Sequence, residues 1–403
     1  MLLRGIFLSL KKITKRDIVV CGFLILFLGV ATYIHTNKYV WLQRNVIYKI
    51  QIPFALKSIH CSESSPKFLY DLMRYIVQEQ GSLNNQISFK DRNGKLYHCE
   101  SGWEDGFNGK RPITVDSRYR YASVSKVVTS AIVLHLVNKG KISLDQKLLD
   151  IIDVPEPKDQ RIKKITVAML LEHSAGFDRF KTPTPMLTMG KKPWCPTKLA
   201  NLSNVTLDFE PNTQFQYSNV GYCLLGAIVE KVTGQSFREA AEEIYDLKER
   251  NIKFIDNDFL ADEIQYDYRF EDFYGSFYKN KFDFKDSLSA VGGLAGSAQA
   301  MTVLIADMLK EQPFNILNRN KSPCAIYLIA GCYGYALLPF EPNSHLGKDF
   351  IVYGKDGYFP GVETDVFVDD KQKILVILRG ATVENRQDLH TLRRKAYDAL
   401  EIN

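Results

Sequence analysis

From Val127 to Val137 the chain is apolar nearly all the way round a helix. A helix with no polar face is stable only when neighbours cover every side. This segment therefore demands a large core with several layers around it. Lys139-Gly140 stops it, since glycine readily takes the left-handed conformation of a helix end. The chain has 403 residues, 45% apolar and 24% charged, so it can build such a core. That composition excludes a collagen-like, low-complexity or wholly disordered chain.

Other helices are expected over residues 65–80, 144–152, 166–173, 220–233, 236–248, 297–310 and 386–400. In the first, Phe68, Leu69, Leu72, Tyr75 and Ile76 share one face. Ser236 and Glu239 form a capping box. Residues 86–101 read as a hairpin turning at Asn93-Gly94. Strands are expected near 332–338, 350–354, 362–368 and 373–379. Residues 177–216 hold five prolines and read as a long loop. Strands thus lie at both ends and helices in the middle. The economical fold is α+β: a mainly antiparallel sheet built from both chain ends and flanked by helices, an α/β sandwich with an inserted helical lobe over about 123–330.

The N-terminus has its own character. Residues 1–17 carry five cations and one acid, +4 of the net +6. The remainder is near balance, which excludes a nucleic-acid surface. Ile18 to Ile34 follow without a charge, near the short end of what spans a bilayer. Cations are denser before this run than after it, which places the N-terminus in the cytoplasm and the bulk of the chain outside. Two alternatives stay open: a signal peptide cleaved after Gly29-Val30-Ala31, or a mitochondrial presequence. Residues 35–64 read as a stalk and 65–400 as the folded domain. Seven cysteines occur. Cys324 and Cys332 are the easiest disulfide, and Cys223, in an apolar helical run, reads as a buried free thiol. No ligand cluster suggests a metal.

The pattern Ser-x-x-Lys occurs four times, at Ser9/Lys12, Ser64/Lys67, Ser123/Lys126 and Ser276/Lys279. Only Ser123 opens the buried helix. One helical turn puts Lys126 on the face of Ser123, and burial favours the neutral amine a base requires. Tyr217-Ser218-Asn219 lies at a loop-to-helix junction, and Lys355-Asp356-Gly357 on a strand. A tyrosine relays protons, an asparagine amide binds amides, and a strand glycine lets a backbone pass close by. His173, at a helix end, reads as a structural hydrogen bonder. Tyr266 to Phe284 hold nine aromatics in nineteen residues, either loop packing or a cleft rim.

The order of these motifs resembles the serine β-lactamase and penicillin-binding protein superfamily, with its Ser-x-x-Lys, Tyr-x-Asn and Lys/His-x-Gly. The runs Ile165 to Gly176 and Gly292 to Ala298 are similar to segments of its class C β-lactamase-like branch. That branch includes DD-peptidases, esterases and related hydrolases. The resemblance implies that Ser123 attacks a carbonyl to form an acyl-enzyme. Lys126 helps deprotonate it, and Tyr217 shares that duty and protonates the leaving group. Asn219, Lys355, Asp356 and Gly357 would meet substrate, and the backbone N–H groups of Ser123 and Tyr358 would form the oxyanion hole. No metal or cofactor is implied. The substrate would be a small molecule or peptide with an amide or ester bond. A true β-lactamase, a DD-carboxypeptidase and a non-catalytic recognition protein are alternatives.

Asp356 stands where the family often has Thr or Ser. Facing the cleft, it would repel a substrate carboxylate by roughly 4 kcal/mol at 4 Å and an effective dielectric of 20. Penicillins and peptides ending in D-alanine would then be poor substrates. Turned away and paired with Lys355 or another cation, it would leave specificity untouched.

Overall fold

The computed structural model describes residues 14–33, 46–179, 181, 192–256, 259–266, 284–318, 324–325, 333–341, 351–381 and 386–402. The chain divides into two compact units, residues 1–50 and 51–403. In the first, α1 (Lys15–Tyr33) has its charges in its first turn and none from Ile18 onward. At 1.5 Å per residue the uncharged part is about 24 Å long. Among the described residues no helix is long and apolar enough to cross a membrane.

The chain continues through α2 (Tyr48–Lys57), β1 (His60–Cys61), α3 (Lys67–Glu79), β2 (Asn85–Lys90), β3 (Leu96–Ser101) and β4 (Tyr119–Arg120). The helical middle holds α4 (Ser125–Asn138), α5 (Val167–Leu171), α6 (Asn219–Thr233) and α7 (Phe237–Tyr245). Then come β5 (Lys253–Phe254), α8 (Ser289–Gly292), β6 (Leu294–Gly296) and α9 (Ala298–Met308). The C-terminal part is β7 (Cys324–Ala325), β8 (Leu338–Glu341), β9 (Val352–Phe359), β10 (Val362–Asp369), β11 (Ile374–Arg379) and α10 (Arg386–Ile402).

The main sheet has the order β1-β3-β2-β11-β10-β9-β8-β7, so both chain ends build it as expected. All its pairs are antiparallel except β7 with β8. β11 shows why it lies centrally. Ile374, Val376 and Leu378 join the core on the side of α4 and α9, while Leu375 and Ile377 join the core with α3 and α10. Side chains alternate across a strand, so an unbroken apolar run fits only between two covered faces. Burying each such side chain contributes about 1.5–3 kcal/mol. The expected all-round burial of α4 holds from Ser125 to Leu134.

Several expectations need correction. Residues 51–64 are no stalk: Ala55 is buried, and β1 pairs with β3, joined to it by the disulfide Cys61–Cys99. Two-residue strands carry no periodicity, so the sequence hides this one. Cys223 is not a free thiol, because it is bonded to Cys195. That bond ties the long loop to α6. Cys332 lies outside the described residues. Of the aromatic segment, Tyr266 and Phe284 are buried, and 267–283 also lie outside the described residues. β9 extends to Phe359, past the expected end at 354, and so carries the whole Lys355-Asp356-Gly357 motif.

Candidate active site

Ser123 lies in a 3-10 turn, Ala122–Val124, that runs straight into α4. Ala122 has φ 47°, a left-handed conformation costly for a residue with a Cβ. The turn is locked from outside. The Tyr121 N–H donates to the Leu294 carbonyl at 2.9 Å, and the Thr364 hydroxyl donates to the Arg120 carbonyl at 3.2 Å. β9 passes close beside the turn because residue 357 is glycine. A Cβ there would lie 2.4 Å from the Tyr121 carbonyl oxygen and 2.9 Å from the Ser123 nitrogen. Gly357 thus brings together the two segments that carry the Ser123 and Tyr358 N–H groups.

Lys126 is 0% exposed. Its Nζ reaches Ser123 Oγ at 3.3 Å and donates to the Val291 carbonyl at 2.8 Å. Burial, then the charges of Lys355 and Arg179, hold its pKa well below the ordinary lysine value, while Asp356 opposes them. The amine is therefore poised as a neutral base. Tyr217, just before α6, donates from its hydroxyl to Ser123 Oγ at 2.8 Å. Its burial pushes the phenol pKa up, so it keeps its proton. A buried amine and a buried phenol flank one hydroxyl, and burial shifts their pKa values in opposite directions.

Asn219 opens α6, capped by Ser218, and its Oδ1 is buried without a partner among the described residues. Lys355 is 5% exposed, with Nζ 4.7 Å from the centre of the Tyr217 ring. Burial lowers its pKa to about 8, with Arg393 and Arg179 adding to that and Asp356 opposing it. Asp356 is half-exposed and pairs at 3.1 Å with Arg393 of α10. Its ion-pair partner is therefore Arg393, with Lys355 a weaker attraction. Of the two expectations for Asp356, pairing with another cation is the one the ion pair matches. Sequence reading missed Arg393, 37 positions further on, and the Val291 carbonyl. Only the glycines after Val291 hint at the close packing there.

The Lys355 value sets a pH limit. The ammonium is lost as pH rises through about 8. The specificity constant for acylation is expected to fall above that pH, by about thirtyfold between pH 7 and 9.5. In Lys355→Arg the charge persists, so the falling limb should vanish from that range. A limb that stays in place in Lys355→Arg would assign it to another group.

Of the other Ser-x-x-Lys pairs, Lys67 is bound to Asp71. Ser9/Lys12 and Ser276/Lys279 lie outside the described residues. Among the described residues no cluster of His, Cys, Asp or Glu suits a metal ion.

Residues 92–378 match the family described as Beta-lactamase. A protein of Dichelobacter nodosus named for fimbrial assembly, FimD of serogroup D, is 52% identical over 97% of this chain and 98% of its own. Penicillin-binding protein 4 of Amycolatopsis lactamdurans is 32% identical over 32% of this chain and 34% of its own. Among solved structures, D-amino acid amidase from Ochrobactrum anthropi SV3 superposes with a TM-score of 0.63 at 18% identity, covering 84% of this chain and 99% of the amidase. The fold of that amidase, the span of the family match and the ordered motifs agree: this chain belongs to the beta-lactamase family.

Proposed function

We propose that the protein is a serine hydrolase that cleaves an amide or ester outside the cytoplasm through an acyl-Ser123 intermediate. One observation carries the reading: Ser123 Oγ sits between a buried amine at 3.3 Å and a buried phenol at 2.8 Å. In acylation Ser123 Oγ bonds to the carbonyl carbon, and its proton passes to Lys126. The bond to the leaving oxygen or nitrogen breaks, Tyr217 supplies that atom with a proton, and the Lys126 ammonium returns one to Tyr217. Backbone N–H groups of Ser123 and Tyr358 hold the oxyanion, and Asn219 orients the substrate. Water then attacks the acyl carbon and frees Ser123. The Asp356–Arg393 pair is near-neutral as a unit, so it leaves β-lactams and peptides ending in D-alanine as candidate substrates beside neutral esters. The test is intact mass after incubation with a panel of esters and β-lactams. A gain of one acyl group at Ser123 supports the reading.

The relative named for fimbrial assembly favours a second reading, in which the pocket recognises an envelope component without turnover. A buried base-and-acid pair around a serine is superfluous for that task. A folded protein that no acylating reagent modifies would decide for recognition.

The same proposal places residues 18–34 in a membrane, with the catalytic unit outside. Its support is the cation bias around that run. The run is short, and local thinning of the bilayer is an ordinary accommodation at modest cost. A reporter fused after Asn403 is expected to be active only outside the cytoplasm. Activity confined to the cytoplasm would overturn this, and a mature N-terminus near Thr32 would replace the anchor with a cleaved signal.

A further inference from the structure

We infer that His173 is a positioning residue for Tyr217, acting through the backbone on both sides of it. The inference rests on the hydrolase reading above, in which Tyr217 protonates the leaving group. The His173 carbonyl accepts the Gln216 N–H at 2.9 Å, and His173 Nδ1 accepts the Ser218 N–H at 3.1 Å. Residues 216 and 218 are thereby fixed by a single partner, and Tyr217 lies between them. The imidazole also packs on the Tyr217 ring, with centres 4.5 Å apart and planes tilted by 38°. The rings of Tyr333, Tyr222 and Phe215 also surround it, with centres 4.5, 4.8 and 5.9 Å away.

Three features fit this duty better than simple core packing. His173 has φ 55°, a conformation that costs energy for a residue with a Cβ. With that backbone, carbonyl and ring both meet the 216–218 segment. Accepting at Nδ1 fixes the imidazole proton on Nε2, and Nε2 has no partner among the described residues. A buried donor left without a partner costs stability, so the ring orientation is set by what Nδ1 and the ring face hold. Burial, then the charge of Lys355, keeps the imidazole neutral. An imidazolium would put a proton on Nδ1 and break the bond to Ser218.

A positioning role has a signature that a purely structural one lacks. Losing the clamp misplaces the proton donor to the leaving group, while Lys126 stays beside Ser123. The rate then suffers most where the leaving group is a poor one. The experiment compares single-turnover acylation of the full chain by an alkyl ester and by a p-nitrophenyl ester of the same acid. In His173→Ala the alkyl ester should lose about 10²-fold, and the p-nitrophenyl ester under about threefold, with KM little changed. His173→Asn tolerates the left-handed backbone and can offer its side-chain oxygen to Ser218. It should recover the alkyl-ester rate to within about fivefold. Should His173→Ala not fold, His173→Gln is read in its place, since its amide lies one bond too far out for Ser218. Equal losses on both esters, no loss on the alkyl ester, or an Asn variant as slow as Ala or Gln would overturn the inference. A wild type that forms acyl-Ser123 with neither ester fails the hydrolase reading itself.

Discussion

Replacing Ser123 with alanine is expected to abolish acylation by active-site serine reagents and to slow ester turnover by a factor on the order of 10⁵ or more. The size follows from the mechanism's dependence on one atom. Without Oγ there is no bond for the acyl group to occupy, and Lys126 and Tyr217 are left flanking a methyl group. What survives is carbonyl polarisation and binding, a small residue of the catalysis. Ser64→Ala is the control. Ser64 is exposed, and the lysine three residues on from it is held by Asp71, so labelling should continue unchanged. The measurement is intact mass followed by peptide mapping. Labelling that persists in Ser123→Ala would falsify the assignment of the nucleophile.

The second large effect is on stability. Arg120 and Glu263 are both 0% exposed in their side chains and form a two-point ion pair, Nε to Oε1 at 2.6 Å and Nη2 to Oε2 at 3.2 Å. Tyr266 donates to the same carboxylate at 2.8 Å and accepts the Arg120 N–H at 2.8 Å. The guanidinium carbon stands 4.5 Å from the centre of the Phe259 ring and 5.4 Å from that of Phe284. Glu263→Ala leaves that cation buried without its counter-ion, a change that costs about 3–5 kcal/mol. Replacing both partners with apolar residues of similar volume should cost clearly less, because no charge is stranded. Denaturant unfolding of the two variants tests this. A cost below about 1 kcal/mol for Glu263→Ala would mean that water reaches the guanidinium.

The sequence shows the site's centre because its chemistry is partly local. Ser123 and Lys126 are one helical turn apart, and an apolar helix follows them, so nucleophile, base and burial share a single stretch. Tyr217 and Lys355 are legible through motifs whose order is informative. The sheet is legible where the pattern is strong, as in the alternation of β10 and the unbroken apolar run of β11. Long-range partners are not. Nothing near Cys223 selects Cys195 over five other cysteines. Nothing near Asp356 points to Arg393, or near Arg120 to Glu263. Such pairings are products of packing, to which periodicity is blind. His173 is an intermediate case: its place after a helix suggests a hydrogen bond, and only the positive φ aims it at the segment around Tyr217.

The central strand of the main sheet also governs when the site can assemble. β11 pairs with β2 on one side and β10 on the other, yet roughly 280 residues separate β2 from β11 along the chain. At 5–20 residues per second a ribosome needs roughly 15–60 s to cover that interval. Until then β2 and β3 have only β1 as a strand neighbour, and α9 lacks the β11 part of the surface it packs on. Contacts of such high order come late in folding. A nascent chain halted before Ile374 therefore has Ser123 and Lys126 but no surface to hold β10, β9 and Gly357 against them. A half-made chain therefore lacks the assembled site.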